Sequence, residues 1–186
     1  MSLKNLREIM SLKNLREMPW IGERPVLDLA NTVVVGAGHA GGDVDLLADP
    51  ELLELWRGKA LDRELADLPL QDLTELRGPV RAALDAAARQ APLPGPARAR
   101  LNALSARAPV TFQVDDDGHL AEREAGGPVA AAVARQTLVL AAGPEQARLR
   151  CCPAPSCGMF FLARRRDQAW CSIGCGNRAR AARRGG

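Results

Sequence analysis

Tyrosine is absent from this chain, and cysteine is absent from its first 150 positions. Aromatic residues make up 3% of the sequence, so a core has to be built mainly from aliphatic side chains. Those are plentiful at 47% hydrophobic residues, largely Ala and Leu, which favour helix. No stretch reaches 18 uninterrupted apolar residues, so no membrane-spanning helix is expected. The start lacks the apolar run of an export signal, which points to a cytoplasmic protein with reduced or metal-bound cysteines. Catalytic side chains are also scarce. Between 19 and 148 there is one serine, Ser105, outside any G-x-S-x-G, and two histidines, His39 and His119, both in turn-like stretches. With no catalytic constellation in view, the chain is expected not to be an enzyme. The glycines of Gly36–Gly42 match neither phosphate-loop pattern. They read as a loop that could border a small-molecule pocket.

What is present begins with a duplication. "MSLKNLREI" is followed at once by "MSLKNLREM", too short a unit to build a repeat fold, so residues 1–18 are set aside. A body spans 19–148. "RPVLDLANTVVV" (Arg24–Val35) is a short apolar run whose period does not separate helix from strand. "ADPELLELW" opens a helix, with Asp49 as cap, Pro50 in the first turn and Glu51 at the positive end of the dipole. Leu73, Leu76, Val80, Leu84 and Ala87 form an apolar stripe at helical spacing, and Gly78-Pro79 is expected to kink or divide that helix. Another helix follows over roughly 97–107. Val110, Phe112 and Val114 then alternate with polar residues before the turn signal Asp117-Gly118, which marks a hairpin. "GPVAAAVARQTLVLAAG" reads as a central buried helix. The fold class is therefore mainly α with one β-hairpin, followed by a small module over 149–186.

The charge is unevenly placed. Residues 151–186 hold seven arginines and one acid, Asp167, whereas the first 150 residues hold 18 basic and 21 acidic side chains. A mildly acidic body with a basic tail is the asymmetry expected when the tail meets a polyanion. All five cysteines lie in the same tail. Four residues separate Cys152 from Cys157 and three separate Cys171 from Cys175, with 13 residues between the pairs. Two close pairs across a short loop are the pattern of a tetrahedral four-thiolate zinc site, one structural Zn²⁺ per chain. Unmetallated thiols, two disulfides and an iron–sulfur cluster are the alternatives, and the missing export signal counts against disulfides. So short a segment buries too little to fold without the metal. Cys151 is the surplus cysteine. Pro153 and Pro155 stiffen the first knuckle, and Gly158, Gly174 and Gly176 are expected to supply backbone conformations other residues avoid. Phe160-Phe161-Leu162 reads as a strand and Arg164-Arg165-Arg166 as the tip between the pairs. Trp170 and the two phenylalanines suit a mini-core, with base stacking as the sharper option. From about Cys175 the tail looks helical, with Arg180, Arg183 and Arg184 within about 100° and Arg178 elsewhere. These four arginines, with Asn177 as cap or base contact, are the candidate nucleic-acid-binding residues, and Arg164, Arg165 and Arg166 are second.

At "WCSIGCGNRARAARR" the tail resembles the CGNR zinc-finger family, named for the tetrapeptide found here as Cys175-Gly176-Asn177-Arg178. "RCCPAPSCGMFFL" is similar to that family's first knuckle. The body resembles the ABATE domain that usually precedes this finger, through "PVLDLANTV", "DPELLELW" and the late hairpin. Many members have four residues between the last two cysteines where this chain has three. The resemblance implies a bacterial, stress-induced transcription regulator that binds DNA through the finger. The body would then sense a small-molecule effector or mediate homodimerisation. The rival expectation is a zinc-stapled module whose arginines meet RNA or protein, and an enzyme acting near the glycine loop ranks third.

Overall fold

In the computed structural model, the described residues are 15–18, 20–38, 41–124 and 126–184. The first fourteen positions of the duplicated start and His39 lie outside them. The ambiguous apolar run contains both kinds of element: a short helix α1 (Pro25–Ala30), a turn, and a strand β1 (Val33–Val34) paired antiparallel with β2 (Val44–Asp45). Helix α2 (Pro50–Lys59) starts as expected, with the Asp49 carboxylate accepting the amides of Glu51 and Leu52. A single turn, α3 (Arg63–Ala66), leads to the long α4 (Leu70–Ala88) and then to α5 (Gly95–Ser105).

Gly78-Pro79 does not divide α4, which is one element from end to end. Proline removes the donor for the carbonyl four residues back, here Glu75. Glu75 and Gly78 lie on the exposed side, where water can satisfy that carbonyl. The stripe on the opposite side is buried as its spacing requires: Leu73, Val80 and Leu84 are at 0% exposure. The hairpin β3 (Val110–Val114) and β4 (Leu120–Glu124) pairs Phe112 with Glu122 and Val114 with Leu120. It stands away from the core, leaving Phe112, Val114 and Leu120 largely exposed. Helix α6 (Val129–Ala142) packs against α4, α5, α1 and α3, as a central helix should, although Val139 reaches solvent. No described helix is long and apolar enough to cross a membrane.

Past a 3₁₀ turn (Pro144–Arg148), β5 (Leu149–Cys151) pairs antiparallel with β6 (Phe160–Leu162), and the chain ends in α7 (Ile173–Arg184). Short strand pairs thus flank the expected hairpin on both sides. The core is continuous across 148: Leu149, Met159, Phe160, Phe161 and Leu162 belong to the same cluster of buried side chains as Leu27, Leu29 and Leu84.

The polar residues of "LDLANT" knit this core together. The buried Asp28 carboxylate accepts the amides of Gly22 at 2.8 Å and Leu61 at 3.0 Å. Burial holds its pKa above the usual aspartate value in spite of those donors. Thr32 Oγ1 donates to the Leu29 carbonyl and accepts from the buried Arg77, which also grips Asp45 at 2.5 and 2.7 Å. Hydrogen bonding from Arg77 draws the Asp45 carboxyl below its ordinary value. Asn31 pairs doubly with the backbone of Phe160: Nδ2 donates to its carbonyl at 2.9 Å, and Oδ1 accepts its amide at 2.8 Å.

Candidate metal centre and basic helix

The first knuckle hangs between β5 and β6. The Cys152 amide donates to the Met159 carbonyl at 2.9 Å, and the Gly158 amide to the Cys152 carbonyl at 3.3 Å, closing the Pro153–Pro155 loop on itself. Ser156 and Gly158 both adopt positive φ, 55° and 66°. At Gly158 a side chain is also barred by space, since a Cβ would lie 2.5 Å from Cγ2 of Val35. The body holds the same knuckle through the Val35 amide, which donates to the Cys157 carbonyl at 3.1 Å.

The second knuckle is a helix start. The Ser172 hydroxyl accepts the Cys175 amide at 3.2 Å, so Cys175 lies in the first turn of α7, one turn on from Cys171. Cys171 stands just before the capping Ser172, outside the helix, and its sulfur lies 3.4 Å from that of Cys175. The three-residue gap is therefore spanned by a capped helix start, with Gly174 at no positive φ. Gly174 and Gly176 lie within α7, without the special backbone expected of them. At Gly176 an added Cβ would make ordinary contact with the Trp170 ring and the Arg180 guanidinium, at 3.4 Å. Asn177 is likewise inside the helix, so Ser172 takes the capping role expected of it.

Cys152, Cys157, Cys171 and Cys175 converge, with all four sulfurs within 4.8 Å of one another. Cys157 lies 3.7 Å from Cys171 and 3.6 Å from Cys175. Around a tetrahedral zinc with bonds near 2.3 Å, sulfurs would stand about 3.8 Å apart, so the four cysteines fit that ion. Packed together, the thiols hold each other's protons unequally. Hydrogen bonding from Cys157 draws Cys152 down to about 6, and bonding led by Cys152 lowers Cys175 as well. Cys157 and Cys171 are pushed up, chiefly through Cys152. Cys151 is outside the set: it is exposed, and its sulfur lies 3.5 Å from the Gly158 carbonyl oxygen. A second grouping, Asp115, Asp117 and His119 at the hairpin turn, is exposed to water at every member.

The arginines divide. Arg178 donates from Nε to the Pro155 carbonyl at 3.1 Å and from Nη2 to the Cys175 sulfur at 3.1 Å, so it clamps one knuckle to the other. A cation there also offsets thiolate charge, which four sulfurs around one divalent ion leave at a formal −2. Sequence reasoning grouped Arg178 with the outward arginines. Its different position on the helical wheel was the signal that it faces the first knuckle. Removing such a partner typically weakens metal binding by about 10–100-fold, and that loss is expected for Arg178→Ala in a chelator competition. Arg178→Lys should restore only part of it, because one ammonium does not reproduce the fork that spans both acceptors. Equal affinity in all three proteins would refute the clamp.

Arg180 lies over the Trp170 ring, 5.8 Å from its centroid, and donates to Asn177 Oδ1 at 2.6 Å. Trp170 is half-buried, and Phe160 and Phe161 are buried, as the mini-core reading requires. Arg183 and Arg184 are exposed at the end of α7. Arg164, Arg165 and Arg166 are exposed at the tip, where Asp167 approaches Arg165 at 3.7 Å. The residue that sequence reasoning missed is Asn31, whose partner lies 129 positions away. A lone amide inside an apolar run was the available sign.

Two families match this chain. The CGNR zinc finger covers residues 148–184. ABATE, described as "Putative stress-induced transcription regulator", covers residues 23–144. A search of curated proteins finds no match. On the length of the first match, with the four-cysteine finger directly behind it, the chain belongs to the ABATE family.

Proposed function

We propose that the protein is a zinc-containing transcription regulator that binds duplex DNA through its finger and acts by binding, not turnover, in the cytoplasm. The observation behind this reading is the charge of the finger surface. Arg164, Arg165, Arg166, Arg183 and Arg184 are exposed, Arg180 is exposed beside them in sequence on α7, and Asp167 is the single carboxylate of the segment. Arginines of this kind suit phosphate oxygens. Arg178 ties the two knuckles together in this reading, Asn177 accepts from Arg180 on the same helix, and Zn²⁺ fixes where α7 begins. The family description adds regulation and stress response.

Salt dependence tests it. If about four of these arginines neutralise phosphates, raising salt from about 50 to 200 mM should weaken binding to a random duplex pool by roughly 100-fold. Replacing Arg183 and Arg184 with glutamine should flatten that dependence. Failure to bind any duplex at the lower salt would overturn the reading in favour of a zinc-stapled module that meets RNA or protein.

A further inference from the structure

A recess of about 250 Å³ opens at the seam between body and finger, and none of the four clustered cysteines lines it. Both halves of the chain build it. Val35 comes from the loop after β1, Arg81, Ala82 and Asp85 from α4, Cys151 from β5 and Phe160 from β6.

Arg81 sets its chemistry. The guanidinium lies over the Phe160 ring, 5.4 Å from the centroid, and Nη1 donates to the Ala30 carbonyl. It is half-buried, and that burial, with repulsion from Arg77, works against its charge. Its neighbour Arg77 is held by a carboxylate, Asp45. Arg81 has no such partner among the described residues. Asp43 and Asp85 attract it from a distance, but Asp43 accepts the Gly36 amide and Asp85 pairs with Arg89. A guanidinium has five donors in a planar fork, which matches a carboxylate. Beside it, Val35, Ala82 and Phe160 offer apolar surface. Asp85, the other charged residue of the lining, has its carboxylate taken up by Arg89, which leaves Arg81 as the cation available to an anion. A recess with apolar walls and a few convergent polar groups is the usual form of a small-ligand site. Its volume is under the roughly 300–1,000 Å³ of pockets for drug-sized ligands, which restricts the occupant to a small molecule.

We propose that this recess binds a small carboxylic acid with a compact apolar body, the carboxylate on Arg81 and the apolar part against Val35, Ala82 and Phe160. The site gives chemical form to the reading that the body senses an effector, and rests on it. Its place matters because Cys151 immediately precedes the ligand Cys152, and Phe160 is the residue Asn31 holds. An occupant would touch the ribbon from which the first knuckle hangs.

Calorimetric titration of the full, metal-loaded chain tests the proposal. Benzoate, phenylacetate and butyrate are the probes, with benzamide as the neutral partner of benzoate. At least one acid should bind, and the amide should bind at least about ten-fold more weakly than benzoate, the scale of losing a charge-assisted hydrogen bond. Arg81→Gln should remove the preference for the acid. Ala82→Phe, which fills the recess and keeps Arg81, should weaken acid binding by at least about ten-fold, and it answers the question if Arg81→Gln fails to fold. No binding of any acid up to about 10 mM, equal binding of benzoate and benzamide, or undiminished acid binding by a folded variant would overturn the proposal. No DNA enters the assay, so failure here and failure of DNA binding are separate results.

Discussion

Cys157→Ser is expected to reduce bound zinc from one per chain to well under one, and to lower the melting temperature of the whole chain. The argument starts from the sulfur geometry. Four sulfurs within 4.8 Å of one another leave no spare ligand. Structural zinc contributes apparent binding energies of about 10–16 kcal/mol in isolated fingers, comparable with the 5–15 kcal/mol that keeps an ordinary domain folded. Losing one ligand of four should therefore be more than the finger can tolerate. The effect should not stop at residue 148, because Met159, Phe160, Phe161 and Leu162 share a core cluster with Leu27, Leu29 and Leu84. One shifted transition is expected, not an unfolded tail on an unchanged body. Cys151→Ser is the control, since that sulfur is outside the cluster, and it should keep its zinc. Metal analysis and calorimetry read both results. A Cys157→Ser protein with a full zinc, or a Cys151→Ser protein without it, would replace the ligand set. A body melting at its original temperature after metal loss would show that finger and body fold separately.

That shared core bears on how much could be read from the chain beforehand. Signals carried by near neighbours were legible. Asp49-Pro50-Glu51 starts a helix because the cap and its amides are two and three residues apart. The stripe from Leu73 to Ala87 is buried because helical geometry puts those residues on one face. The cysteine pairs declared a metal site because thiolate ligands need close, converging spacing. Gly78-Pro79 misled because a proline's cost depends on whether the orphaned carbonyl reaches water, and that depends on which face the rest of the protein covers. Gly174 and Gly176 were read as turn residues because glycine near cysteine suggests a knuckle. Here a helix start supplies the convergence, and both glycines sit inside α7 with ordinary helical backbone. What sequence could not show were links across longer separations: Arg178 to Pro155 spans 23 positions and depends on the helix phase, and Asn31 to Phe160 spans 129.

Asn31→Ala is expected to cost about 2–6 kcal/mol. In the β5–β6 ribbon, Phe160 stands opposite Cys151, and its amide and carbonyl both turn to the Asn31 side chain. Asn31 therefore completes the outer edge of β6, where an unpaired strand edge would otherwise be buried. Asn31 is 1% exposed and Phe160 is 3% exposed, so water cannot readily replace the lost partner. Each orphaned backbone group costs about 1–3 kcal/mol, which gives the range for two. Asn31→Asp separates hydrogen bonding from packing, because its volume is nearly unchanged. It retains an acceptor for the Phe160 amide but sets an oxygen, charged or needing a proton, against the Phe160 carbonyl. It should therefore be destabilised despite the conserved shape. Denaturant unfolding gives the energies, and amide exchange at Phe160 locates them, with protection expected to fall in both variants. If both proteins unfold within about 0.5 kcal/mol of the parent, the scale of an ordinary surface change, and Phe160 stays protected, then apolar packing and the Val35–Cys157 hydrogen bond join finger to body and the amide clip is incidental.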